Sequence, residues 1–188
     1  MDGTVGVIIA VAVVVLVVGI ALVISARFYS ARRTAALRRQ FGAEYDRVIS
    51  ELGRRRGEAE LRSRLKLRRS LTIRHLEPDE RATFERAWES AQSSFVDTPS
   101  TGLRDADLLV MQVMRDRGYP VEHVEQRVKV ISVDYPDLVE HFRAARDVAV
   151  ASEQDHAGTE EQRQAMVDYR FLFDELLEGG DPQRARRT

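Results

Sequence analysis

The sequence predicts an all-α protein with three parts: an N-terminal transmembrane helix, a basic helical juxtamembrane arm and a compact bundle of about five short helices. Residues 5–24 are an unbroken run of twenty apolar or small residues. Elsewhere, apolar residues recur three or four positions apart, as on one face of an α-helix, and no segments alternate like a β-hairpin. Residues 27–76 carry fifteen Arg or Lys against five acids, a formal charge of +10, whereas residues 77–180 carry eleven against twenty-three, a formal charge of −12.

The N-terminal run predicts a membrane anchor over residues 5–26, preceded by a short outside segment, residues 1–4. At ~1.5 Å per residue the run spans roughly 30 Å, the thickness of the hydrocarbon core of a bilayer. No basic residue precedes it and arginines follow it at once, which favours a retained anchor over a cleaved signal peptide. Small residues four apart in the run are typical of helices that dimerise. The predicted anchor residues include Val5, Ile8, Val14, Leu16, Ile20 and Ile24.

The charges that flank the anchor predict its orientation. Positive residues near the end of a span are retained on the cytoplasmic side of the membrane. We therefore expect the N-terminus outside and residues 27–188 in the cytoplasm, with the bilayer of the cell membrane as the first partner. The arginines expected at the inner leaflet are Arg27, Arg32, Arg33, Arg38 and Arg39.

Residues 27–76 form the predicted basic arm. One helical stripe consists of Leu37, Phe41, Tyr45, Val48 and Leu52, and Gly53 is expected to break the helix. The arm either lies along the inner leaflet with its arginines among anionic headgroups, or is a stalk whose stripe packs on a second copy or on its own domain. Because no aromatic residue lies between Tyr45 and Phe84 to stack on bases, we do not expect nucleic-acid binding.

Five helices are predicted in the acidic bundle, residues 77–180. Helix starts or stops are indicated at Pro78-Asp79-Glu80, at 97–99, at Gly118-Tyr119-Pro120, at 134–136, at 152–158, at 159–161 and at 179–180. The tail, residues 181–188, is expected to be disordered. The residues predicted on buried faces are Phe84, Trp88, Ala91, Phe95, Leu103, Ala106, Val110, Val113, Met114, Val121, Val124, Val128, Ile131, Leu138, Phe142, Ala145, Met166, Tyr169, Leu172, Phe173 and Leu176.

Candidate chemistry is sparse. The absence of cysteine excludes disulfides, thiol nucleophiles and thiolate metal sites. His141 could share a helix face with Asp137, but a zinc site needs three or four ligands, so a salt bridge or a histidine at the core edge is favoured. Asp105 and Asp107 point apart on a helix, and we expect them to complement the helix dipole in an early turn. We predict no catalytic, cofactor-binding or metal-binding residues and no cofactor.

Four segments are similar to a group of uncharacterised membrane-anchored helical proteins from actinobacteria. They are RRQFGAEYDRVI (38–49), FERAWESAQSSFVD (84–97), VMRDRGYP (113–120) and SVDYPDLVEHFRAARD (132–147). The resemblance covers most of the chain after the anchor and implies a bacterial envelope protein without catalytic residues.

The leading functional hypothesis is a single-pass membrane protein whose cytoplasmic domain is an adaptor or scaffold. An unknown protein partner would bind the acidic bundle surface, and the basic arm would either hold that surface near the leaflet or mask it by folding back. A homodimer through the anchor or the arm is a further expectation. One alternative is a secreted or extracytoplasmic helical domain that binds an envelope component, and another is an enzyme with an unrecognised site near Asp137 and His141.

Overall fold

The computed structural model describes residues 19–21, 25, 27–29 and 31–179, which form helices and turns without a strand. The all-α prediction is therefore confirmed for this part of the chain. By its internal contacts the chain divides into two compact units, Met1–Gln40 and Phe41–Thr188.

The second unit contains seven α-helices and a short 3-10 turn among its described residues. The helices are α1 (Ala43–Leu52), α2 (Arg54–Arg69), α3 (Pro78–Asp97), α4 (Pro99–Arg117), α5 (Val124–Asp134), α6 (Val139–Glu153) and α7 (Thr159–Glu178), and the 3-10 turn is Pro136–Leu138. The last five helices correspond to the five predicted in the bundle. The third of these begins at Val124, so Val121 lies before it rather than on its apolar face.

The first unit is helical wherever it is described. Of the predicted anchor residues, Ile20 lies in a helical segment and is 50% exposed, whereas Val5, Ile8, Val14, Leu16 and Ile24 lie outside the described residues. Within the described ranges, no helix combines the length and the apolar character needed to cross a bilayer. The predicted tail, residues 181–188, also lies outside the description.

The helix ends in the bundle follow from local sequence. Pro78 occupies the first turn of α3, and the Glu80 carboxylate accepts a hydrogen bond from the Glu77 N–H at 2.9 Å. Glu161 does the same for the Gly158 N–H at 2.8 Å, where α7 begins. Such contacts satisfy N–H groups that a helix leaves unpaired at its start.

Two glycines are required by packing. Only Thr98 separates α3 from α4, and at this corner a Cβ on Gly102 would collide with the backbone of Phe95. Gly118 ends α4 with φ +92°, and a Cβ there would lie 2.5 Å from the Thr72 carbonyl oxygen. A larger residue at either position therefore requires the chain to move.

The core lies among α3, α4, α5, α6 and α7 and includes Trp88. The Trp88 ring is fully buried and stacks on Phe173 at a centroid distance of 4.8 Å. Most of the predicted buried residues are buried, and those only partly buried are Phe95, Val121, Val124 and Val128.

The arm from Phe41 onwards packs within the same compact unit as the bundle. α1 contacts α2 and the 3-10 turn, and α2 contacts α5. Phe41, Tyr45 and Val48 of the predicted stripe are buried, whereas Leu52, the last residue of α1, is 45% exposed. The predicted break at Gly53 separates α1 from α2. Of the alternatives for the arm, the part of the stripe from Phe41 onwards is packed within the protein's own domain.

Candidate functional site

The five arginines of the predicted inner-leaflet flank are all helical and exposed. Arg33 lies over the Tyr29 ring at 5.0 Å from its centroid, which places a cation and an aromatic side chain together on this basic segment.

His141 of α6 forms a close polar contact with an acidic residue of α7. Its Nδ1 lies 2.8 Å from the Asp168 Oδ1, and the Gln164 Nε2 donates to the same oxygen at 3.3 Å. The partner is therefore Asp168 rather than Asp137, which is exposed in the 3-10 turn. In the described part of the chain, no group of three potential ligands is arranged to hold a metal ion. The expected pairing of His141 with Asp137 on one helix face is therefore wrong, because Asp137 precedes α6 and Asp168 of α7 takes its place.

The expected dipole role of Asp105 and Asp107 is wrong, because α4 begins at Pro99 and has no acid in its first turn. Asp107 instead accepts the Tyr169 hydroxyl hydrogen at 2.7 Å and lies 3.6 Å from the Arg146 Nη1. Burial raises the pKa of Tyr169, and the neighbouring Asp107 charge raises it further. The predicted start of the helix agrees with the structure, but Asp107 lies more than two turns beyond it, too far to complement the dipole at that end.

Arg127 lies beside this pair and is buried. Its Nη2 donates to the Val121 carbonyl oxygen at 2.6 Å, while its Nε and Nη1 have no hydrogen-bond partner among the described residues. Burial lowers the pKa of Arg127, and the positive charge of Arg146 lowers it further. The cluster is thus a buried cation with an incomplete set of partners, which destabilises its surroundings.

A second buried charge connects the arm to the bundle. The Glu44 side chain is 1% exposed and accepts hydrogen bonds from Arg64 of α2 at 2.7 Å, from Arg143 of α6 at 3.1 Å and from Arg47 at 2.8 Å. Burial by itself would raise the pKa of Glu44, but the bonds from Arg47, Arg143 and Arg64 outweigh it and lower the pKa to about 2. This carboxylate holds three helices together.

α2 makes further polar contacts with the bundle. The Arg64 Nη1 donates to the Ser132 Oγ at 3.1 Å, and the Arg68 Nε lies 2.5 Å from the Asp134 Oδ2. Asp134 also accepts the Tyr119 hydroxyl hydrogen at 2.8 Å. These contacts fix one face of α2 against α5.

A shallow groove of about 200 Å³ lies between α3 and α7. Its lining residues are Trp88, Gln92, Phe95, Arg163, Met166, Val167 and Arg170. Trp88 is buried at its base, and the Trp88 Nε1 has no hydrogen-bond partner in the described part of the chain. The lining is therefore mostly apolar, with Arg163 and Arg170 on the same face of α7.

The two arginines lie at the edge of this groove. Arg170 stacks over the Trp88 ring at 5.4 Å from its centroid and pairs with Asp174 at 2.8 Å. Arg163 is more exposed and pairs with Glu160 at 2.7 Å. Both pairs lie within α7 and are open to solvent, so the guanidinium groups remain accessible to an anionic ligand.

One exposed apolar residue of α7 lines the groove, because Val167 is 49% exposed. Phe171 is equally exposed, but its ring lies edge-on to His141 of α6 at a centroid distance of 5.8 Å and does not line the groove. Sequence reasoning assigned Trp88 and Phe95 to the core and did not find the groove. The available signal was Val167, an apolar residue that lies outside the predicted buried stripe of the last helix.

No family model, curated protein or solved structure matches this chain. The resemblance to membrane-anchored actinobacterial proteins therefore stays a prediction.

Proposed function

We propose that the protein is a membrane-anchored adaptor whose helical domain binds a partner protein in the groove between α3 and α7. The observation that carries the proposal is the largely apolar groove itself, whose lining includes the exposed Val167 beside Phe95 and Met166. At about 200 Å³ it is smaller than the roughly 300–1,000 Å³ of sites that enclose a whole small molecule. A volume of this size fits an apolar side chain presented by a peptide or helix.

The charges beside the groove favour an acidic partner segment. Arg163 and Arg170 are seven residues apart on α7 and therefore lie on the same face of the helix. An apolar side chain between two carboxylates would fill the groove and meet both guanidinium groups. This docking site differs from the acidic surface expected from sequence, since the groove is bordered by cations in an otherwise acidic domain.

The membrane anchor is part of the same proposal. It is supported by the apolar run of residues 5–24 and by the five exposed arginines that follow it. The positive flank favours an outside N-terminus and a cytoplasmic domain at the inner leaflet of the cell membrane. A partner would then be recruited to the membrane surface rather than transformed there.

The groove is tested by site-specific crosslinking in intact cells. A photo-reactive amino acid replaces Val167 in one strain and Val150 in another, because Val150 is 47% exposed but lies on α6. We expect one defined protein adduct from position 167 that is absent from position 150. The charge reversal Arg163→Glu should weaken this adduct, whereas Arg115→Glu on α4 should leave it unchanged. Equal labelling at 167 and 150 would refute the proposal.

Affinity gives a second measure once the partner is known. A charged side chain within an apolar contact weakens binding by at least about tenfold, so Val167→Lys should raise the Kd by this factor. The matched variant Val150→Lys should leave the Kd unchanged.

Topology is tested with single cysteines, which is straightforward because the native chain has none. Asp2→Cys and Thr188→Cys are exposed to a membrane-impermeant maleimide in intact cells. Labelling at position 2 alone supports the proposed orientation. Labelling at position 188, or loss of the N-terminus, would support the extracytoplasmic or secreted alternative.

A further inference from the structure

We infer that the outward face of α2 is a binding surface for anionic lipid headgroups. The face is a stripe of basic side chains, called the α2 stripe below, made of Arg55, Arg62, Lys66 and Arg69. Their offsets of 0, 7, 11 and 14 place them on one side of a helix, and all four are exposed. At ~1.5 Å per residue the stripe is roughly 20 Å long.

The basic residues of α2 are divided by face. Arg64 and Arg68 point into the domain, where Glu44 and Asp134 pair with them at 2.7 Å and 2.5 Å. By contrast, Arg55, Lys66 and Arg69 have no ion-pair partner anywhere in the described ranges of the chain. The inward cations thus stabilise the fold. Of the α2 stripe, Arg62 lies 3.8 Å from Glu58, and the other three cations are left for another molecule.

The start of α2 supports a functional role for these charges. Residues 54–56 are three successive exposed arginines in the first turn, and this turn contains no acid. Cations at a helix N-terminus oppose the helix dipole, so the position is unfavourable for them on grounds of stability. An external anionic surface would remove this penalty.

The inward face of α2 makes the stripe a rigid platform. Gly57 and Leu61 are buried, and a Cβ on Gly57 would lie 2.7 Å from the Ile49 Cδ1, so α1 and α2 are in close contact. The cations are therefore presented together on one fixed helix rather than on a flexible tail.

A bilayer is the partner that fits a linear stripe of this kind. The exposed face of α2 contains no aromatic side chain to stack on bases, which disfavours single-stranded nucleic acid. α2 also begins about thirty residues after the predicted anchor, a length of chain that allows it to reach the surface of the same membrane. The inference rests on the anchor of the proposed function but is independent of the groove.

The test uses the full chain in lipid nanodiscs with a donor dye on Ser63→Cys, which is exposed on α2. An acceptor is attached to lipid headgroups, and energy transfer is compared between phosphatidylcholine and discs that also contain phosphatidylglycerol. We expect higher transfer with the anionic lipid. It should fall when salt is raised from 0.1 M to 1 M, where the Debye length shortens from about 10 Å to about 3 Å.

Two matched triple variants separate the stripe from net charge. Arg55→Gln, Lys66→Gln and Arg69→Gln together should weaken the contact equilibrium about a hundredfold, given the usual contribution of each cation near an anionic surface. The control removes the same three positive charges from α3 and α4 and should leave the energy transfer unchanged. It consists of Arg86→Gln, Arg104→Gln and Arg115→Gln. Circular dichroism checks that both variants are folded.

Several outcomes would overturn the inference. Equal transfer in both lipids would do so, as would equal losses in the two triple variants. A third outcome would assign the surface to nucleic acid: an oligonucleotide binds the native chain but not the α2-stripe variant, and energy transfer to lipid does not depend on the lipid. If the chain does not insert into discs, the anchor has failed, and sedimentation of the same two variants with anionic vesicles then tests the stripe separately.

Discussion

Replacement of the buried Glu44 carboxylate should remove a pH-dependent part of the stability. The pKa of Glu44 is lowered from 4.5 to about 2 in the folded protein. Each unit of pKa difference corresponds to about 1.4 kcal/mol, so ionised Glu44 contributes about 3 kcal/mol to the free energy of unfolding. Because the folded pKa is below the unfolded value, this contribution is complete above pH 4.5 and is lost as the pH falls towards 2. Glu44→Gln should lack it at every pH.

The assay is urea unfolding of the full chain in detergent, followed by the fluorescence of Trp88. This residue is the only tryptophan and is fully buried, so its emission reports on the core. At pH 7 Glu44→Gln should be less stable than the native protein by about 3 kcal/mol, a loss typical of removing one partner from a buried ion pair. The two proteins should approach each other in stability as the pH falls from 4.5 towards 2.

A surface change of the same type controls for the loss of charge. Glu89→Gln alters an exposed residue of α3 and should shift the stability by less than about 0.5 kcal/mol. A difference between Glu44→Gln and the native protein that stays constant from pH 7 to pH 2 would refute the reasoning. It would mean that Glu44 is not an ionised partner of Arg64 and Arg143.

Two further predictions concern the backbone and the buried arginines. Gly118→Ala should destabilise the protein by more than about 1 kcal/mol, because φ is +92° and the added methyl group would meet the Thr72 carbonyl oxygen. Gly158→Ala is the control and should have little effect on the Tm, because Gly158 has an ordinary extended conformation and room for a methyl group. Arg127→Met should leave the Tm unchanged or raise it, because two of its nitrogens lack partners. Arg117→Met should lower the Tm, since Arg117 donates to three oxygens at 2.8–3.1 Å, and equal Tm changes in the two arginine variants would contradict this argument.

Much of the fold can be predicted from sequence because its signals are local. Pro78, Pro99 and Gly118 mark helix ends through their own backbone preferences, and the period of Phe84, Trp88 and Ala91 identifies a buried face. Each of these signals lies within a few residues of the structure that it specifies.

The parts that escaped prediction depend on contacts between distant residues. Glu44 and Arg143 are 99 residues apart in sequence, and no periodicity indicates that they meet. The same holds for Asp107 and Tyr169, which are 62 residues apart. The groove also depends on how α3 and α7 cross, which a pattern within one helix does not encode.

The packing of α1 and α2 changes how the opposite charges of arm and bundle should be understood. If the basic arm folds back on the acidic bundle, the simplest cause is attraction between their opposite net charges. Some ion pairs join a cation of the arm to an acid of the bundle, such as Arg68 with Asp134. In others the signs are exchanged, because Glu60 of the arm pairs with Lys129 of the bundle at 3.1 Å. Simple attraction between net charges therefore does not explain the arrangement.

Apolar burial is the stronger cause. Phe41, Tyr45, Val48 and Leu61 are all at most 3% exposed, and burying each such side chain contributes about 1.5–3 kcal/mol, more than an exposed ion pair. Salt screens exposed pairs but has little effect on buried ones. We therefore expect α1 and α2 to stay packed on the bundle at 1 M salt.

The distance between spin labels tests this. Labels on Ser50→Cys in α1 and Ser90→Cys in α3 report whether the arm leaves the bundle, and both positions are exposed. The distance distribution should be the same at 0.1 M and 1 M salt, whereas Val48→Asp, which puts a charge into the apolar contact, should broaden it. If salt alone lengthened the distance, charge rather than apolar packing would hold the arm. The masking of the acidic surface would then be a reversible electrostatic state.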